Sequence, residues 1–224
     1  MGERPRRRDP QTERSRHKVP SWYVPLHLGV TIGLLGGVSI ALLALLPLGT
    51  FHWTVWLAAV AVILTADFVE YSLHRWPMHR RKKATDALFK RHTLEHHRLF
   101  TYEAMGIEKF DEVFLTTFNV SDVVVALASM GIVGGIMLPI FGLKGAMVIA
   151  AALGLYGTFK QAIHMAFHLP ESWMRFPVLR SRAFYWLREH HALHHDPRMM
   201  TRWNFNIGLP TFDALFGTLR WTRE

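Results

Sequence analysis

Residues 53–80 read WTVWLAAVAVILTADFVEYSLHRWPMHR, and the fold turns on how they are read. Trp53 to Leu73 is almost unbroken apolar chain, about 20 residues, the length a helix needs to cross a hydrocarbon core of roughly 30 Å. It carries two carboxylates near its end, Asp67 and Glu70, and runs directly into the pair His74-x4-His79. Acidic groups inside a membrane span are costly and tend to be functional. One stretch therefore joins a membrane helix to a histidine motif.

Three further runs of similar length lie outward from it: Leu26 to Leu48, Val113 to Leu138, and Lys144 to Phe167. Four such runs as buried helices of a soluble protein would need more polar chain to cover them than 224 residues supply. The expectation is an all-α integral membrane bundle of about four transmembrane helices, at 26–48, 53–73, 113–138 and 144–167. Residues 1–20 are charged and without apolar periodicity. They read as a basic flexible tail ahead of a single membrane domain over 21–224.

The net charge of +9 is segregated. Seven Lys/Arg lie between Arg4 and Lys18, eight between Arg75 and Arg98, and eight between Arg175 and Arg223. The connection at Gly49 to Trp53 has none, and that at Pro139 to Lys144 has only Lys144. By the positive-inside rule both termini and the middle loop are cytoplasmic, and two short hairpins turn back at the far face. This describes a multi-pass protein of a bacterial inner membrane or a eukaryotic endoplasmic reticulum membrane. It also accounts for the basic charge without nucleic acid as a partner.

The chain has fourteen histidines and no cysteine. Ten fall in four clusters: His74 and His79; His92, His96 and His97; His164 and His168; His191, His194 and His195. The topology places all ten at the cytoplasmic face, in segments 74–98 and 164–219 that would form a helical cap. Neutral imidazole is a common ligand of mid-series transition metals. Ten such ligands exceed what one ion takes, so the count points to two metals. Ligation by nitrogen alone points away from structural zinc, which usually recruits cysteine.

Spacing on a regular helix puts His92 with His96, His164 with His168 (Lys160 extending that stripe), and His191 with His194 and His195. His74 and His79, five apart, would splay on a straight helix. Pro77 between them can kink the chain and swing His79 back. Metal-bound imidazoles usually donate their second N–H to a carboxylate or carbonyl, and the nearby carboxylates are Asp67, Glu70, Glu95, Glu189 and Asp196. Ordinary solvated charge is the competing account of these. His17, His27, His52 and His190 fall outside the set, and Asp122 has no spacing partner. Trp173 to Arg188, rich in aromatics and arginine, reads as an interfacial segment that either shapes the way in for a lipid or only anchors the cap.

Taken in order, these motifs resemble the fatty acid hydroxylase and sterol desaturase superfamily. YSLHRWPMHR (Tyr71 to Arg80) is similar to its first box, KRHTLEHH (Lys90 to His97) to its second, and HMAFH (His164 to His168) to its intermediate pair. HHALHHDP (His190 to Pro197) is similar to its last box, and NFNIGLPTFDALFGTL (Asn204 to Leu219) to its carboxyl-terminal signature. The second box has three intervening residues where two are common in the family. The resemblance implies a helical membrane bundle whose cytosolic cap holds two irons on the ten clustered histidines, with zinc able to replace iron in a purified sample. It implies O2 as co-substrate and hydroxylation of an unactivated C–H bond of a lipid acyl or alkyl chain. It also implies a separate electron donor, a cytochrome b5, a ferredoxin or a reductase. Rival readings within the superfamily are sterol oxidation or desaturation and carotenoid hydroxylation. Rivals from other classes are a metal transporter, which predicts ligands through the membrane depth, and a membrane haem protein, which predicts histidine pairs facing across mid-membrane helices. Oligomeric state is not legible.

Overall fold

The computed structural model describes residues 10–14 and 16–223, and among them every regular element is helical. Three helices are long and apolar enough to cross a membrane: α1 (Tyr23–Ala44), α2 (Trp53–Met78) and α4 (Val120–Phe167). Between α2 and α4, residues 86–99 form α3, a helix with a π-helical centre at Lys90–His96. After α4 come α5 (Arg182–His194) and the short α6 (Thr211–Leu215).

Helix α4 covers the stretch where two separate spans are expected. Its 48 residues would make a rod of about 72 Å if straight, more than twice a hydrocarbon core. It breaks instead at Gly142, where φ is +66°, a conformation that costs glycine little. The two arms then lie side by side. A Cβ added at Gly134 would sit 3.6 Å from that of Ala150, and one at Gly154 would sit 2.6 Å from the Met130 sulfur. Each pair is symmetric about Gly142, so the arms form an antiparallel hairpin.

The start of α4 is also later than the expected residue 113. Phe110–Thr116 is a 3-10 segment, and the helix begins at Val120 behind a capping box. The Asn119 side chain caps the third backbone N–H, and Asp122 accepts from the Asn119 N–H at 2.9 Å. Asp122, unassigned from sequence, is thus a helix cap, and it also accepts from Arg91 at 3.0 Å.

Small residues let the helices approach. A Cβ at Gly154 would lie 2.2 Å from Ser39 Oγ of α1, and one at Gly36 would meet Thr158 at 3.1 Å. Such contacts are how helices pack when lipid, not water, surrounds them. The outward faces are apolar: Ile40, Val125, Ile132 and Ile140 are each more than 60% exposed. An exposed apolar girdle around a small-residue interior is the surface of a protein whose solvent is a bilayer.

The amino-terminal segment departs from the flexible tail expected. Pro10–Arg14 is a helical turn, and Arg14 is buried, 1% exposed. Its Nη1 donates to the carbonyls of Leu99 and Ala104, and its guanidinium lies over the Phe100 ring. Residues 1–9 of that expected tail lie outside the described residues. The interfacial segment is partly core: Met174 and Phe184 are buried against Phe167, while Phe176 and Trp186 are exposed.

Candidate metal centre

Two π-helical turns decide where the histidines point. The end of α2 passes into a π turn at His74–Met78, with Pro77 inside it. A wider turn brings positions five apart onto one face, and the His74 and His79 rings stack with centroids 5.1 Å apart. His79 does come back beside His74, and the turn that brings it contains Pro77. The same device acts in α3. There His92 and His97, five apart, bring their Nε2 atoms to 3.0 Å. His96, expected to act with His92, stacks beside it at 5.6 Å but places its ligand atom in a different cluster.

The ten rings form two groups of five whose candidate ligand atoms lie within 4.8 Å of one another. The first group is His74, His79, His92, His97 and His194. The second is His96, His164, His168, His191 and His195. The doublets His96-His97 and His194-His195 are divided, one ring to each group. Consecutive residues on a helix differ by about 100° in direction, so a doublet between two sites serves both. The triplet expected to act together on α5 is split in the same way, His191 with His195 and His194 apart. The groups touch: the His97 and His195 rings stack at 4.2 Å.

Backbone carbonyls orient rings in both groups. His74 Nδ1 donates to the Phe205 carbonyl, and His194 Nδ1 to that of Trp203 at 2.9 Å. In the second group His164 donates to Thr116 (2.9 Å), His168 to Met105 (2.9 Å) and His195 to Phe100 (2.6 Å). A carbonyl only accepts, so these five rings carry their proton on Nδ1 and present a bare Nε2 lone pair inward. His79 Nδ1 lies 3.2 Å from Thr93 Oγ1.

The carboxylates expected behind the rings are directed elsewhere. Asp67 accepts from Tyr156 and Asn206, and Glu70 from the Ile207 N–H while pairing with Lys160. Glu189 accepts from Tyr102 at 2.8 Å, Asp196 binds Arg198 and Arg223, and Glu95 is exposed. Lys160, four residues before His164 on α4, thus pairs with Glu70. His190 is buried outside both groups, its Nε2 3.4 Å from Asp213 Oδ2. His27 pairs with Thr117 at 2.8 Å, and His52 caps α2.

Inward, the Nε2 atoms crowd together. His74 to His92 is 2.8 Å, His79 to His194 2.9 Å, His191 to His195 3.1 Å and His191 to His168 3.3 Å. Neighbouring nitrogens on one ion with bonds of about 2.1 Å sit roughly 3.0 to 3.4 Å apart. The Nε2 atoms of His96 and His164 are buried without a hydrogen-bond partner. Converging lone pairs with orphaned members repel one another, and a cation between them removes that penalty. The donor set therefore fits a metal in each group.

Burial, then the neighbouring rings, holds His92, His97, His191 and His195 well below the ordinary imidazole value. Burial and the His74 ring push His79 down to about 2. Neutral rings are the ligating form.

A cavity of about 280 Å³ opens onto both groups. His74 and His92 of the first and His96 and His164 of the second line its floor, and Phe114, Leu115, Phe118 and Ile207 its walls. Arg91, Glu95, Asn119 and Asp122 are also on its lining, as is His17 from the amino-terminal segment. A larger cleft of about 370 Å³, between α1 and the two arms of α4, is apolar and lacks any group that could do chemistry.

Sequence reasoning missed which carbonyls accept from the rings and the residues that hold them. A carbonyl leaves no mark in a sequence, but Asn204, with φ of +60°, stands in the NFN motif and is of the type that tolerates that region.

A model described as fatty acid hydroxylase matches residues 59–218, a span containing all ten clustered histidines and the segment that orients His74 and His194. Comparison with curated proteins and with solved structures gives no match.

Proposed function

This chain belongs to the fatty acid hydroxylase family, and from that premise we propose that it is a membrane-bound di-iron enzyme that hydroxylates an unactivated C–H bond of a lipid acyl or alkyl chain with O2. The observation that carries this reading is the pair of five-histidine groups sharing one apolar-walled cavity. All-nitrogen ligation suits iron among the metals that imidazole binds. When bound, the metal pair supplies the redox chemistry that activates O2, which no side chain here can perform.

The protein's own part is holding, orienting and drying. The five pinned Nδ1–H groups fix each tautomer before metal arrives. Phe114, Leu115, Phe118 and Ile207 exclude water and align an alkyl chain over the floor, while Arg91 and Asn119 offer polar contacts to its other end. Inserting one oxygen atom from O2 into a C–H bond, with the other leaving as water, consumes two electrons and two protons. A separate donor, a cytochrome b5, a ferredoxin or a reductase, must bring the electrons.

The reading extends to topology. The hairpin at Gly142 turns α4 into two crossings, giving four. The end of α2, both ends of α4 and the start of α1 then share one face with the histidines. The basic segments 75–98 and 175–223 lie on that face, which makes it cytoplasmic. Gathering of both groups at one end disfavours metal transport, which needs ligands along the membrane depth.

The test is direct. Purify the protein, count iron per chain, and compare host lipids with and without it by mass spectrometry. Close to two irons and one added oxygen on a single lipid class would support the proposal. Removal of two hydrogens would identify a desaturase, oxygen on a sterol or carotenoid would move the assignment within the superfamily, and fewer than one metal after iron reconstitution would sink the dimetal reading.

A further inference from the structure

The two histidine groups are oriented by different parts of the chain. Site one takes its carbonyls from Trp203 and Phe205, the residues flanking Asn204. Site two takes its carbonyls from Phe100, Met105 and Thr116, and among the described residues no hydrogen bond joins 203–218 to a histidine of site two.

The strap over 203–218 is tied at its centre by Asp213, which is fully buried. Asp213 Oδ1 accepts from the Phe205 N–H at 2.9 Å and from Thr218 Oγ1 at 2.7 Å. Its Oδ2 accepts from the Asn206 N–H at 2.7 Å. Asn206 Oδ1 returns the tie by accepting from the N–H groups of Phe212 and Asp213. Asn204 completes it: its Nδ2 donates to the carbonyls of His190 and Arg220 at 3.0 Å each, and its Oδ1 accepts from the Arg220 N–H at 2.8 Å. One carboxylate thus sets the backbone on which the Phe205 carbonyl depends. Charge-assisted bonds from two backbone N–H groups and a hydroxyl are strong ones, and a buried carboxylate needs all of them.

We infer that Asp213 is a positioning residue for site one alone, acting through the strap on His74 and His194, so that the two metal sites can be unloaded separately. This rests on the dimetal reading above. Asp213 touches neither site's inward nitrogens; it holds the carbonyls that hold the rings. Asparagine in its place keeps the shape but offers one acceptor oxygen where two are used, and its amide N–H₂ faces backbone donors.

The experiment titrates Co(II) into the full-length, metal-free protein in detergent and follows bound metal and the cobalt absorption spectrum, neither of which needs turnover. Wild type should take up two Co(II). Asp213→Asn should keep one at wild-type affinity and weaken the other about ten- to a hundredfold, the range for loss of an outer partner of a metal ligand. Crossed variants say which site is weakened. Asp213→Asn added to His79→Ala should cost nothing more than His79→Ala alone, whereas added to His164→Ala it should leave no tight site. Thr218→Val, which removes one bond to Asp213, should give a smaller loss in the same direction and stands in if Asp213→Asn does not fold. Asp213→Glu should restore part of the affinity. Equal weakening of both sites, or no change in either with Thr218→Val or Asp213→Asn, would overturn the inference. A wild-type protein binding fewer than one Co(II) would instead overturn the dimetal reading beneath it.

Discussion

Site one and site two use the same ligand in the same number, yet they are built from opposite directions. Site one draws on the end of α2, on α3 and on α5, and its rings are set by the carboxyl-terminal strap. Site two draws on α3, α4 and α5, and its rings are set by the middle loop. Only α3 and α5 serve both, and each does so with an adjacent histidine doublet. The difference teaches that a histidine doublet here is a spacer between two ligand groups, and that each group has its own support.

The largest test of that comparison removes one member of a doublet at a time. His194→Ala should strip metal from site one and His195→Ala from site two, each leaving about one metal per chain. Each should cut turnover beyond the ~100-fold that outer-partner changes reach. If both variants lost both metals together, the sites would be a single cooperative unit and the comparison would break.

Acid should act on both sites alike. Burial, then the neighbouring rings, holds His92, His97, His191 and His195 well below the ordinary imidazole value of about 6.5. The unfolded chain therefore takes up protons near 6.5 that the folded chain refuses. Stability of the metal-free protein should fall as pH drops below 6.5, by up to about 1.4 kcal/mol per pH unit for each ring. Thermal unfolding in detergent between pH 7.5 and 5.5 checks this. Metal loading should flatten the profile, because bound rings cannot take the proton.

A smaller effect should single out site two. Arg14→Met keeps the buried stem but removes the donor to the Leu99 and Ala104 carbonyls, which bracket the stretch carrying Phe100. Hydrogen bonds from a charged donor contribute about 1.5–3 kcal/mol. The expected result is weaker metal at site two, about tenfold, with site one unchanged; Co(II) titration reads it. Loss at site one instead would show that the strap and the middle loop are coupled. The smallest expected change is His52→Ala, which removes the cap of α2 at the end away from the histidines. It should cost about 1 kcal/mol of thermal stability or less and leave turnover and metal content unchanged.

Much of this was legible beforehand because composition and charge report on position. Apolar runs and clustered histidines located the three membrane-length helices, the turn near Gly142 and the gathering of the ten rings. What stayed hidden depends on a few degrees per residue. Reading α3 at 3.6 residues per turn pairs His92 with His96, and the π turn pairs His92 with His97. Carboxylates looked like the partners of the rings because side chains are what a sequence displays. The partners are carbonyls, which every residue has. Asp122 read as stranded in a span because the helix start was placed seven residues too early, ahead of the Asn119 cap. His190 read as outside the ligand set, and Asp213 lay unremarked inside the carboxyl-terminal motif. Their burial could not be seen until the strap folded over them.

The strap has one more consequence, which concerns time. Ribosomes make this chain from the amino end, so all ten ligand rings leave the tunnel before Phe205, Asp213 and Thr218 do. The membrane helices can be in place, and site two complete, while site one still waits for its carbonyls. A premature stop codon just before Trp203 would then yield a fully inserted protein able to keep one metal and unable to work.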